Sequence, residues 1–216
     1  MSITTVYQSG GVSQPGHSRA RAAEQRSATR YVSLIRAAKL VTPEGEFACV
    51  VRDVSQTGTR IKLFHALPPG RAWMALELQN GERFELRLVR TGEGEASFAF
   101  AQPVAVERLV REHWSLPKRQ FRLRLCAPVR LSAGDGRWTA EIGNLSQQGA
   151  HLTTDARFAT NQMLRIEAAV LPTVHAKVRW QRGRSCGVVF EDTFSLPEFA
   201  GLAARMQCPI LFQGAN

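Results

Sequence analysis

Two groups of residues in this chain have the types and spacing to hold a small anion. The first is Arg26 and Arg30, an RxxxR pair, followed by Asp53, Ser55 and Gly58. The second is Lys118, Arg119 and Arg122, followed by Asn144, Ser146 and Gly149. A guanidinium meets phosphate oxygens as a two-pronged fork, whereas an ammonium is a point charge. Asp or Asn accepts from N–H donors, Ser adds a short hydrogen bond, and Gly lets backbone turn or come close. Arg30 precedes Asp53 by 23 residues and Arg122 precedes Asn144 by 22. Each motif alone is weak, since RxxxR and DxSxxG arise by chance. Their recurrence in one order and spacing is not weak.

Charge follows the same division. The chain has 216 residues and a formal net charge of +10. Residues 1–36 carry five arginines against Glu24, and residues 104–125 carry six basic groups against Glu107 and Glu112, so each stretch is +4. Residues 37–103 balance, and residues 126–216 carry +2. Two focused basic segments suit small anionic ligands, whereas a nucleic-acid-coating protein would carry a continuous basic face. Only Tyr31 and Phe121 lie near the arginines as stacking platforms, so nucleic acid is disfavoured.

The elements that must position these residues are mostly strands. Runs at Ala48–Val51, Thr59–Leu63, Trp73–Leu78, Phe84–Val89 and Ala96–Phe100 suit β-structure. Turns are expected at 42–45, 67–70 and Asn80-Gly81. Val106, Leu109, Val110 and Trp114 predict a helix over about 103–114, read as an inter-domain buttress. Ser195 and Glu198 predict a capping box opening a second helix over 196–207. The sequence repeats internally: 52–58 aligns with 143–149 at an offset of 91, Lys39 with Arg130 at the same offset, and 97–100 with 187–190 at 90. The expected organisation is a flexible arm (1–24), a first domain (25–114), a second (115–208) and a tail (209–216).

Other chemistries find no support in the sequence. Four widely spaced cysteines lack a CxxC pair, and five histidines lack ligand spacing, so neither a disulfide frame nor a metal site is expected. No catalytic motif emerges, and the reading is of a protein that is not an enzyme. No apolar run reaches transmembrane length and the first residues lack a signal-peptide core, which predicts a cytoplasmic protein.

The doubled basic-segment and D/NxSxxG pattern resembles the PilZ family of cyclic di-GMP receptors, over about 24–195. Val178-Arg179-Trp180 followed by Gly187-Val188-Val189-Phe190 looks like the family's closing strands. The resemblance implies an all-β-dominated fold of two tandem small antiparallel barrels, each followed by a short helix. It implies cyclic di-GMP as ligand, no cofactor, and an effector protein as partner, with a homodimer left open. It also implies that the RxxxR-type residues and the D/NxSxxG residues hold the dinucleotide together. On motifs alone the first copy is favoured, because Lys118 replaces an arginine in the second. His151, two residues after Gly149, falls on that residue's face of a strand. The alternative is a PilZ-like interaction scaffold that binds no nucleotide in one or both domains.

Overall fold

The computed structural model describes residues 31–69, 73–111 and 121–212, with only the backbone of 31–34. Twelve strands form two closed six-stranded antiparallel barrels. The first comprises β1 (Tyr31–Thr42), β2 (Gly45–Val54), β3 (Gly58–Lys62), β4 (Met74–Glu77), β5 (Arg83–Gly92) and β6 (Glu95–Phe100). The second comprises β7 (Arg122–Ala133), β8 (Gly136–Ser146), β9 (Gly149–Thr153), β10 (Met163–Ala168), β11 (Leu171–Arg182) and β12 (Ser185–Phe190). Strand order around the first is β1-β2-β3-β6-β5-β4, and the second repeats it six strands later. Closure leaves no sheet edge open.

Period-two patterning builds these strands. In β7, Leu123, Leu125, Ala127, Val129 and Leu131 point inward while the arginines between them face out. Leu40, Phe47, Ile61 and Leu76 fill the first core, and Leu131, Ile142, Leu145 and Leu152 the second. Gly81 turns at φ 89° in the expected Asn80-Gly81 turn.

The helices depart in part from expectation. The first, α1, spans Val106–Val110, so the 103–114 expectation was too long on the described side; residues 112–114 lie outside the described residues. It is also no buttress between barrels. Val106 and Leu109 plug the first core, and the Arg36 guanidinium closes the short helix by donating to the Leu109 and Val110 carbonyls (2.5 and 2.7 Å). The second, α2, spans Leu196–Gln207 as expected, opened by the Ser195/Glu198 capping box. This helix does the bridging. Phe199, Ala200, Leu202 and Ala203 pack into the second core, while Ala204 and Cys208 join the first.

One carboxylate lies at the junction. Glu46, buried on β2, accepts from the backbone N–H of Arg124 (2.9 Å) and its guanidinium Nε (2.6 Å) on β7, and from Lys39 (2.9 Å). Gln207 of α2 donates to the Glu46 carbonyl (2.8 Å) and accepts from its N–H (3.0 Å). A Cβ at neighbouring Gly45, whose φ is +143°, would fall 2.3 Å from the Gln207 side-chain oxygen. Burial pushes the Glu46 carboxyl up, but the Arg124 N–H and the Lys39 and Arg124 cations outweigh it and hold its pKa below 4.5.

A depressed folded-state pKa contributes stability above the unfolded value, and that contribution is lost as pH falls through the folded one. The barrel–barrel contact should therefore loosen as pH falls below the ordinary carboxylate range, read as faster amide exchange at 45–47 and across α2. Glu46→Gln should remove this pH dependence and cost about 2 kcal/mol in urea unfolding, since Arg124 is mostly exposed.

Candidate functional site

Both D/NxSxxG segments cross the turn between two strands, β2 to β3 and β8 to β9. Ser55 Oγ accepts from the Gly58 N–H (3.1 Å) and the Thr57 N–H (3.3 Å). Ser146 Oγ donates to the Gly149 carbonyl (3.0 Å). Both hydroxyls are buried within their own turns. Neither glycine needs left-handed backbone; each is required by a close approach. A Cβ at Gly58 would fall 2.4 Å from the Phe98 carbonyl oxygen, and one at Gly149 would fall 2.2 Å from that of Val188. The Ser and Gly of each motif thus hold the turn and let β3 or β9 close against β6 or β12.

The outward side chains next to each motif form a row across four strands. In the first barrel, Asp53 pairs with Arg60, Arg60 with Ser97, and Ser97 with Arg90. In the second barrel the corresponding row is Asn144, His151, Gly187 and Trp180. The backbone register is the same, but the chemistry is different.

The members of the first row are bonded to one another. Asp53 accepts from Arg60 Nε (2.8 Å) and its terminal nitrogen (2.8 Å), and Arg60 also reaches Glu95 (3.5 Å). Arg90 Nε donates to Ser97 Oγ (3.4 Å). The cavity there is small, about 160 Å³, and is lined by Asp53, Ser55, Gly58, Arg60, Arg90 and Ser97 among others.

The second row is an aromatic platform. Trp180 is 42% exposed and lies flat over Gly187, where a Cβ would come within 2.2 Å of the indole Nε1. His151 stacks on Trp180, with ring centroids 5.9 Å apart and planes 29° apart. Beside this pair, the Arg122 guanidinium, on the first residue of β7, donates to Asn144 Oδ1 (3.2 Å). The arrangement offers a π face, an exposed guanidinium and an amide acceptor, which suits a planar base attached to a phosphate.

Among the sequence-derived residues, the structure brings Arg122, Asn144, Ser146 and Gly149 together, and likewise Asp53, Ser55 and Gly58. Arg26, Arg30, Lys118 and Arg119 lie outside the described residues. Sequence reasoning missed Arg60, Arg90, Trp180 and Gly187 as members of the two rows. The signal was present, because the repeat offset of 91 carries Arg60 onto His151, and the offset of 90 carries Arg90 onto Trp180 and Ser97 onto Gly187. Among the described residues no group of His, Cys, Asp and Glu is arranged to hold a metal, and no helix is long and apolar enough to cross a membrane.

Residues 117–203 match the model of the PilZ domain. No curated protein matches the chain. Among solved structures, similarity extends to the Borreliella burgdorferi PlzA protein in complex with c-di-GMP, at 11% identity over 88% of this chain and 97% of that one, with a TM-score of 0.34. It also extends to the Bacillus subtilis inhibitor of motility (MotI/DgrA), at 12% identity over 83% and 98%, TM-score 0.34. A third is K. pneumonia MrkH in its apo state, at 13% identity over 77% and 84%, TM-score 0.29.

The close approaches at the motif glycines give a direct test of the packing account. Gly149→Ala and Gly58→Ala should each cost about 1–3 kcal/mol through forced separation of paired strands. Ser146→Ala should cost about 1 kcal/mol through one lost hydrogen bond. Urea unfolding monitored by circular dichroism reads all three.

Proposed function

We propose, for a chain that carries a PilZ domain over residues 117–203, that the second barrel is a cyclic di-GMP receptor site. The observation that carries this reading is the juxtaposition of Arg122 and Asn144 with the Trp180–His151 platform, inside the segment that the PilZ model matches. Cyclic di-GMP presents two guanines and two phosphodiesters. In the bound state the Arg122 fork leaves Asn144 for phosphate oxygens or a guanine O6/N7 edge. Asn144 Oδ1, released from that hydrogen bond, accepts from guanine N–H groups. Trp180 offers its exposed face to a purine. Lys118 and Arg119, which precede Arg122 on the same segment, add positive charge toward the second phosphate. Ser146 and Gly149 act by holding the turn that aims Asn144.

The counterpart set, Arg26, Arg30, Asp53, Ser55 and Gly58, reads as weaker or empty. Asp53 is already bound by Arg60, and an Arg90–Ser97 pair stands where the second barrel has its indole over glycine. The first barrel then serves as the interaction scaffold of a one-site receptor, and the protein performs no reaction of its own.

Transmission follows from β7. Arg122 and Arg124 lie on the same outward face of one strand, the first at the ligand site and the second on Glu46 of the first barrel. Ligand that draws Arg122 away from Asn144 acts on the end of the strand that docks the barrels. The changed packing would be read by an effector protein in the cytoplasm.

Calorimetric titration of the full chain with cyclic di-GMP should give about one site per chain. Arg122→Ala and Trp180→Ala should each weaken it about tenfold or more, a loss of about 1.4 kcal/mol. Arg60→Ala and Arg30→Ala should leave it unchanged. Full affinity in Arg122→Ala, with the fold intact by circular dichroism, overturns the reading.

A further inference from the structure

The repeat makes each face of one barrel comparable with a face of the other, and one pair of equivalent faces differs sharply in what covers it. On the first barrel, Lys39, Leu40 and Val41 of β1 lie opposite Ala48, Phe47 and Glu46 of β2. That face is the docking surface for the second barrel. Ala48 is fully buried within the second barrel's core, Phe64 packs against that core, and Glu46 receives Arg124 and Gln207. Lys39 is held between Glu46 and Glu77 (2.9 and 2.8 Å).

On the second barrel the same register places Arg130, Leu131 and Ser132 of β7 opposite Thr139, Trp138 and Arg137 of β8. Glu167 of β10 lies opposite Arg130, as Glu77 lies opposite Lys39. This face is open and forms a trough of about 660 Å³, the size of a binding cleft. Its floor is apolar where the indole of Trp138 lies over Gly136 and packs edge-to-face on Phe158 at 5.2 Å. Phe47, the residue equivalent to Trp138, is fully buried.

The charges of the two faces are reversed. Arg137 stands where Glu46 stands in the first barrel, and among the described residues its guanidinium hydrogen-bonds only to the backbone carbonyls of Gly134 and Gly136. Arg130 has no hydrogen-bond or ion-pair partner among the described residues. The two carboxylates on the rim are already engaged, Asp155 by Arg184 (2.8 Å) and Glu167 by Arg165 (2.5 Å). Two arginines therefore remain uncompensated beside the half-buried indole that lines the trough.

We propose that this trough of the second barrel is a protein-docking surface for an acidic partner segment, which lays a carboxylate on Arg137 and Arg130 and an apolar side chain against Trp138. The first barrel's face takes a cation, Arg124, onto Glu46, so the charge-reversed face takes an anion. In the docking mode seen between the two barrels a second copy supplies none: the β1 position in register with Arg124 is residue 32, a valine, opposite Asp53 as Arg124 is opposite Asn144. The proposal is independent of the cyclic di-GMP site, which occupies Arg122, Asn144 and Trp180.

Two labelled amphipathic peptides test it on the full chain by fluorescence anisotropy, one with glutamates around a leucine stripe and one with lysines in their place. The glutamate peptide should bind at least about tenfold tighter than the lysine peptide. Arg130→Ala should weaken it, and Arg137→Glu should reverse the preference, while the thermal unfolding midpoint stays unchanged because both side chains are exposed. Equal affinity for the two peptides, or an unchanged preference in Arg137→Glu, overturns the proposal. So does displacement of the glutamate peptide by a single-stranded oligonucleotide, or a wild-type dimer in sedimentation that Arg137→Glu dissociates. Cyclic di-GMP titration of Arg137→Glu, run alongside, fails or succeeds separately and tells the two sites apart.

Discussion

The arrangement of this molecule depends on a buried carboxylate that has to be satisfied from the other barrel. Glu46 is 5% exposed and is followed by Phe47 of the first core and Ala48, which joins the second; an unpaired charge there would cost several kcal/mol. Its own barrel supplies only Lys39, which it shares with Glu77. The rest comes from the second barrel and its helix: a backbone N–H and a guanidinium from Arg124, and the amide of Gln207 on the Glu46 main chain. Area burial by α2 is non-directional and would tolerate sliding; the two-pronged recognition of Glu46 does not. This ion-pair and hydrogen-bond set fixes the register of one barrel on the other.

Duplication explains why the two barrels can share a backbone and differ in chemistry. The residues that close each barrel are set by sterics, and both copies keep them: a buried serine locks the turn and a glycine admits a neighbouring carbonyl. The outward row is under no such constraint, because alternate residues of a strand face solvent whatever their type. One row became Asp–Arg–Ser–Arg, whose members satisfy one another. The other became Asn–His–Gly–Trp, which presents a flat ring because no Cβ stands at Gly187. A site that satisfies its own donors and acceptors has little left to offer a ligand; a site with an exposed indole and guanidinium has more.

Much of the fold was legible from residue spacing. Alternation located the strands, Ser195 and Glu198 located the start of α2, and the repeat offset implied two copies of one β-rich domain, which the family resemblance made barrels. The mistaken element was α1, where periodicity at Val106, Leu109 and Val110 gave the face but not the length or the destination. Its last carbonyls are closed by Arg36, 73 residues away in sequence, a contact that local pattern does not reveal. The motif residues were found and the close approach at each Gly matches its expected role, whereas the partner of each Ser hydroxyl needs the turn it occupies. Trp180 was legible only as a closing-strand residue. Its position over Gly187 needs the β11–β12 register, and its contrast with Arg90 needs the two barrels superposed by that register.

A ligand shifts an equilibrium between arrangements only by the difference in its interactions with them. Here the two relevant groups are Arg122 and Arg124, and they share one strand end. Arg122 has its own partner in Asn144, and Arg124 has one in Glu46, so each is held in place. In the proposed receptor, a phosphate drawing Arg122 away would act where β7 pairs with β8 at Arg122–Ser146, immediately beside the Arg124–Asn144 pair. The strand end would then be the element on which the proposed ligand site and the barrel contact both act. In the proposed receptor coupling would be reciprocal: the factor by which barrel docking changes ligand affinity equals the factor by which ligand changes docking, so a mutation that weakens docking shifts affinity in the matching direction. The direction of that change distinguishes a receptor whose ligand tightens the two barrels from one whose ligand separates them.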